Sequence, residues 1–395
     1  MSAASLDTVD LEAVVGPRRS SRRQVGTPPS SSLPECTGLI PNGSKRRDAI
    51  STKRKTNKSD GPNRPSKQAC KTETPIVHLP TFEDNTVFSL LSEDGLARGR
   101  NQLEQRLIAE LGAPTLLAWH SFIENSLVPL LKKHATMKRK QWQDKYLKNV
   151  IPFMGLSTPD AESLCRQWMP AIQGFLDGHY QTVVQPTPAI SRSCMEQLLT
   201  LSLLYGRQFE IKLAAIICWQ DHHADWLASP NDYDLLGLVF DAGLVREWAT
   251  CDCICTRLTS KSLPKSIERD QSPQHIIITQ VLQPWAMDTE NNLWKRRCAC
   301  VTFVNMAPKS DLWLRDILTL MASALVKSPE RFHQTAVGWL MRQVSVAHHD
   351  HVVAWIQKVG LESLSTEGLR YTTEKMPDRV AKKLMADYRN SRAKT

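Results

Sequence analysis

Residues 310–327 read SDLWLRDILTLMASALVK. Leu314, Ile317, Leu318, Met321 and Leu325 recur at steps of three and four, the spacing that lines one face of an α-helix. Outward from this stretch the same period continues in both directions, back to about residue 98. Ser or Thr followed by Pro punctuates it, at Thr158-Pro159, Ser229-Pro230, Ser272-Pro273 and Ser328-Pro329. The hydroxyl can cap free backbone N–H groups and Pro suits the first helical position, so each pair predicts a helix start. Ile276-Ile277-Ile278-Thr279 is β-branched and ambiguous, but no second run is in view to pair with it. The expectation is an all-α array of paired helices.

Three tryptophans add a longer period. Trp248, Trp294 and Trp339 are separated by 46 and 45 residues. Each is followed about one turn later by a charged residue: Asp252, Arg297 and Arg342. A repeat in the forties matches two- or three-helix solenoids of the HEAT or armadillo kind, in which equivalent positions line up on one face. The chain is therefore expected to be a HEAT-like α-solenoid over residues 81–395. Its concave face would carry large rings, two cations and a carboxylate. Taken alone, the same spacing equally describes core tryptophans with charges on solvated faces.

Residues 1–80 differ. They are rich in Ser, Thr, Pro, Lys and Arg, and cannot bury enough apolar surface to offset chain entropy, which predicts disorder. Over residues 1–75, 14 Lys and Arg face 7 Asp and Glu, which is most of the chain's net +10. The clusters Arg18-Arg19, Arg22-Arg23, Lys45-Arg46-Arg47 and Lys53-Arg54-Lys55 suit a nuclear-import receptor or a non-specific DNA-contacting arm. A nuclear location is the expectation. No stretch approaches the roughly 20 apolar residues of a membrane span, and the N-terminus has no apolar signal-peptide core. The ten cysteines sit partly in apolar helical stretches, as reduced thiols do.

Four stretches carry the chemistry: YLKNVIPFMGLSTP (146–159), EWATCDCIC (247–255), ENNLWKRRCA (290–299) and AVGWLMRQ (336–343). Arg207-Gln208-Phe209-Glu210 lies between the first two. In this order they resemble the AlkD-type DNA glycosylases, the HEAT-like DNA alkylation repair family, from about residue 138 to 376. Residues 98–137 read as additional helices ahead of that core. The resemblance implies removal of cationic N3- or N7-alkylpurines from double-stranded DNA. It places Asp252 as the catalytic carboxylate, and Trp248 and Trp339 as the indoles that hold the lesion. It implies a phosphate-contacting role for Arg297 and a cleft-lining role for Tyr146, and it assigns Trp294 to packing. It further implies a lesion held against the Trp/Asp surface while largely stacked, unlike glycosylases that extrude the base.

The residues fit that chemistry on physical grounds. An alkylated purine cation departs as a neutral base, so charge accumulates on the sugar at C1′. A carboxylate there stabilises the transition state more than the ground state and can activate water. Indole faces attract cations by about 0.5–2 kcal/mol. Arg297 and Arg342 would grip phosphates, which positions a duplex without reading its sequence. No metal or organic cofactor is required, and a monomer suffices.

Some positions depart from the family pattern. Ala249 stands where a second carboxylate often follows the first Trp, and Gln343-Val344 where Glu-Tyr often follows the last Arg. These leave open a non-catalytic DNA-binding or scaffolding solenoid. A peptide-binding adaptor would require an acidic face. Cys251, Cys253 and Cys255, with Cys298 and Cys300, do not have the spacing of ordinary zinc sites. His222-His223 and His348-His349-His351 read as polar helix ends.

Overall fold

The structure, a computed structural model, describes residues 93–183, 191–222, 227–263, 273–290 and 292–393. All of them belong to one unit. The expected basic tail, His223 and Ser272 lie outside the described residues. The described chain is all-α and solenoid-like. In order come α1 (Glu93–Leu111), α2 (Ala113–His134), α3 (Met137–Tyr146), α4 (Thr158–Val183), α5 (Arg192–Ser202), α6 (Phe209–His222) and α7 (Pro230–Asp241). Helix α8 (Trp248–Ile254) runs on through a π turn (Cys255–Thr259) to Ser262. Residues 273–287 form an interrupted helix, α9, with its own π turn at Ile278–Leu282. Then follow α10 (Leu293–Val301), α11 (Leu312–Leu325), α12 (Arg331–Val359), α13 (Thr366–Thr373) and α14 (Asp378–Arg392).

The packing order sorts most of these helices into two rows. One row runs α2, α4, α6, α8, α10, α12, α13, each packed on the next. The other runs α5, α1, α7, α9, α11. The 45-residue period of the tryptophans is the length of chain needed to return to the first row. Trp248 opens α8, Trp294 lies in the first turn of α10, and Trp339 sits in α12. Only Trp294 is fully buried, against Phe332 with ring centroids 4.8 Å apart.

Local chemistry agrees with most of the predicted starts. The run that decided the fold is α11, whose N-cap Asp311 accepts a hydrogen bond from the Leu314 N–H at 2.8 Å. Ser229 precedes α7, and the Asp232 carboxylate accepts from its N–H (2.8 Å) and its hydroxyl (2.7 Å). Thr158 begins α4, but the capping hydroxyl belongs to Ser157 one residue earlier. Ser328-Pro329 does not start its helix. α12 begins two residues later, at Arg331; the Ser328 hydroxyl bonds the His333 ring at 2.8 Å and accepts from the Glu330 N–H at 3.3 Å. The β-branched run Ile276–Thr279 is helical, with Ile277 and Ile278 buried, so tertiary packing overrides its strand propensity. α12 bends at His348, whose backbone leaves the helical region and whose Nε2 donates to the Ser310 carbonyl. No helix among the described residues is long and apolar enough to cross a membrane.

Candidate functional site

Helix α8 continues unbroken through its π turn to Ser262, and its N-terminal end is held by a side-chain cap. Its N-cap is Glu247, a buried carboxylate that accepts from the Thr250 N–H at 2.7 Å and from the Ala249 N–H. Burial raises the Glu247 pKa, and those hydrogen bonds and the nearby Lys212 charge oppose the rise. Lys212 is itself buried in α6. Its ammonium donates to the Leu244 carbonyl at 2.8 Å and to that of Leu204, and burial lowers its pKa to about 7. At the far end of α8, the Thr256 hydroxyl donates to the Asp252 carbonyl at 2.7 Å, at the entry to the π turn.

Trp248 and Asp252 lie four residues apart on α8 and therefore share a face. The Asp252 carboxylate meets Arg297 of α10 in a two-pronged ion pair. Nε donates to Oδ1 at 2.8 Å and Nη2 to Oδ2 at 2.9 Å. Nη1 of the same guanidinium donates to the Phe332 carbonyl at 2.8 Å and the Thr335 hydroxyl at 3.1 Å, both on α12. The Asp252 side chain keeps 15 % of its surface exposed, against 6 % for Arg297. Burial raises the Asp252 pKa, and the charge and hydrogen bonds of Arg297 pull against it. Burial alone would lower the Arg297 pKa, but the Asp252 charge and hydrogen bonds outweigh it and raise it.

These contacts revise the reading of both arginines. Arg297 was expected to hold a phosphate, but it is buried and four of its five N–H groups are spent on Asp252, Phe332 and Thr335. Arg342 was likewise expected to grip a phosphate. Its side chain is only 8 % exposed, its Nη1 donates to Glu374 at 2.9 Å, and its Nε is buried without a partner. A cation in sequence reads the same whether it faces a ligand or a carboxylate of the same chain.

The aromatic residues stay closer to the surface. Trp248 and Trp339 are half-buried. Trp339 lies one turn beyond Thr335, on the face of α12 that receives Arg297. Tyr146 is 43 % exposed and meets Trp248 edge to face, at 5.4 Å and 78°. Burial raises its pKa, and the charges of Tyr371 and Asp252 add to the rise while Arg331 opposes it. Sequence reasoning passed over Trp142. It is 52 % exposed and stacks on Tyr146 at 5.3 Å and 6°, with Arg139 5.7 Å from its ring. The signal was present: Arg139, Trp142 and Tyr146 fall at helical steps of three and four on α3. It also passed over Tyr371 and Glu367 of α13, and over Arg331.

The remaining motif residues build the frame. Glu210, of the Arg207–Glu210 motif, is buried and accepts from the N–H groups of Met154 (2.9 Å), Gly155 (3.1 Å) and Leu156 (3.3 Å). This ties the 146–159 segment to α6. Gly155 has φ +110, and a Cβ there would lie 2.4 Å from the Thr136 carbonyl oxygen, so the turn requires glycine. Gly338 lets α12 approach α13, since a Cβ would lie 2.6 Å from the Gly368 carbonyl oxygen. Asn292 caps α10 by accepting from the Trp294 N–H at 2.8 Å, and donates to the Phe240 carbonyl of α7 at 2.9 Å. Cys251, Cys253, Cys255, Cys298 and Cys300 are buried, and among the described residues no group of three or more His, Cys, Asp or Glu is placed to hold a metal.

No curated protein sequence matches this chain. Among solved structures, a predicted DNA alkylation repair enzyme from Enterococcus faecalis is similar at 15% identity and a TM-score of 0.37, covering 62% of this chain and 98% of that one. The family model for DNA alkylation repair enzymes matches residues 128–376, more than half of the sequence, and the chain belongs to that family.

Proposed function

We propose that this protein is a DNA glycosylase that hydrolyses the N-glycosidic bond of cationic N3- or N7-alkylpurines in duplex DNA. The observation that carries the reading is Asp252, a partly exposed carboxylate held in a fixed orientation by Arg297 beside the half-buried Trp248. Each carboxylate oxygen has two lone-pair sites. The Arg297 fork occupies one on each, which leaves one on each for the sugar or for water. As the neutral base departs, the carboxylate stabilises the growing positive charge at C1′ and accepts a proton from the attacking water. Partial burial strengthens that interaction, because little solvent screens it. Arg297 opposes the protonation of the carboxylate that burial favours. Trp248, Trp339 and Tyr146 offer ring faces and edges to the lesion and its sugar.

In this reading the α8–α10–α12 row is the DNA-facing side of a HEAT-like array, the protein acts as a monomer, and the basic segment over residues 1–80 directs it to the nucleus. The test is incubation with a duplex carrying one 7-methylguanine, with free base as the readout. Release is expected, and Asp252→Asn should reduce it by at least a hundredfold while leaving DNA affinity intact. No release under conditions where the duplex is bound would replace the enzyme reading with that of a DNA-binding scaffold.

A further inference from the structure

Arg297 and Arg342 are buried and engaged with carboxylates of their own chain, so a phosphate held at this site needs another cation. Arg331 answers that need. It is the first residue of α12, and its side chain is 62 % exposed. Glu367 of α13 grips one edge of its guanidinium, with Nε donating to Oε2 at 2.7 Å and Nη2 to Oε1 at 2.8 Å. The fork fixes the plane of the guanidinium and leaves the two N–H groups of Nη1 uncommitted among the described residues.

Its place in the chain sets it at the candidate site. The next residue, Phe332, gives its carbonyl to Arg297, the same guanidinium that holds Asp252. The Phe332 ring has the Arg331 Cζ 5.5 Å from its centroid and the Trp294 ring centroid 4.8 Å away. Tyr371 lies one turn beyond Glu367 on the same face of α13. Tyr146 meets Trp248, which shares a helix face with Asp252.

We infer that Arg331, oriented by Glu367, is the phosphodiester-binding group of this site. The inference rests on the DNA-directed reading above. A guanidinium held along one edge by a carboxylate and open along the other can take a phosphate oxygen in a charge-assisted hydrogen bond. It contacts the backbone beside the lesion and carries no sequence information, so it serves position only.

The test pairs Arg331→Ala with a duplex carrying 7-methylguanine in which single phosphates around the lesion are replaced, one at a time, by neutral methylphosphonate. Affinity is read by fluorescence anisotropy across a salt series. With native backbone, Arg331→Ala should bind about tenfold more weakly, and the slope of log K against log salt should fall by about one. At one methylphosphonate position the variant should bind no worse than wild type, because the contact is already gone. Arg331→Ala with Glu367→Ala controls for the carboxylate left unpaired, and should retain the loss of slope. The exposed ion pair is worth at most about 1 kcal/mol, so the melting temperature should barely move. A penalty that is the same at every methylphosphonate position, or no penalty, overturns the assignment. If wild type binds DNA but releases no base, the glycosylase reading falls while the methylphosphonate result still decides Arg331. If wild type binds no DNA, both fall.

Discussion

Replacing Arg297 with alanine separates two roles that sequence alone leaves equivalent. In the structure it makes four hydrogen bonds, two of them to Asp252, from a position with 6 % side-chain exposure. Removing it leaves a carboxylate with little solvent and no counter-charge. Breaking a buried pair costs about 3–5 kcal/mol, and the partial exposure of Asp252 places the expectation near the lower end. For a body of roughly 300 residues, unfolding entropy is about 0.6 kcal/mol per kelvin, so the melting temperature should fall by about 5 °C. The second consequence is kinetic. Without Arg297 only burial acts on Asp252, and burial raises its pKa. The acid limb of kcat/KM should therefore move to higher pH, with ionised enzyme lost as pH falls through the raised value. A carboxylate free to rotate is also less well aimed, so kcat should fall about a hundredfold even on the alkaline side of that limb. Binding to undamaged duplex should keep its salt slope. Arg297→Lys retains the charge but not the fork, and should restore most of the pH profile and less of kcat. If Arg297→Ala instead lowers the salt slope by about one and leaves the acid limb in place, Arg297 is a phosphate contact and the positioning argument fails.

Two further variants test the surroundings of the site. Trp142→Ala should lower kcat/KM on 7-methylguanine duplex by about tenfold, with Trp142→Phe recovering most of it, because ring contact and not bulk carries the effect; unchanged kinetics would make the Trp142–Tyr146 stack a packing feature only. His333 is buried, and burial and then Arg296 lower its pKa to about 4 from 6.5. The unfolded chain therefore binds the extra proton first, so stability is complete above pH 6.5 and falls by about 3 kcal/mol as pH drops towards 4. Denaturant melts of wild type and His333→Gln across that range should diverge in slope, and parallel curves would refute the assignment.

Helix class was legible because it rests on local periodicity. The 310–327 run needed no knowledge of its neighbours, and Ser229 carries its own capping partner three residues on. Residues 276–279 read poorly because their helical state depends on burial, which a β-branched run does not announce. The site was legible as a set of positions and less so as a set of roles. Trp248 and Asp252 share a helix face by spacing alone. The partner of Asp252 lies 45 residues away, and only the α8–α10 contact reveals that Arg297 serves the carboxylate. Arg331 was invisible for the converse reason: its partner Glu367 is 36 residues away on a helix no motif had marked.

The cysteines around Asp252 gain a simpler meaning from the same contact. The fork needs α8 and α10 close together, which favours small side chains between them. Cys251 lies 3.9 Å from Cys255, sulfur to sulfur, and its thiol lies 3.5 Å from the Trp294 carbonyl of α10. Burial raises the pKa of Cys251 and of Cys255, and pushes that of Cys300 up to about 12. Such thiols remain protonated at neutral pH, and they are therefore poor nucleophiles and poor metal ligands. They behave as compact apolar groups that let two helices approach. The same burial raises the Asp252 pKa, so the close packing that forms the fork also creates the need for it. Arg297 offsets that effect, which is why the carboxylate and the guanidinium act as one unit, and why neither can be replaced without changing the chemistry expected of the other.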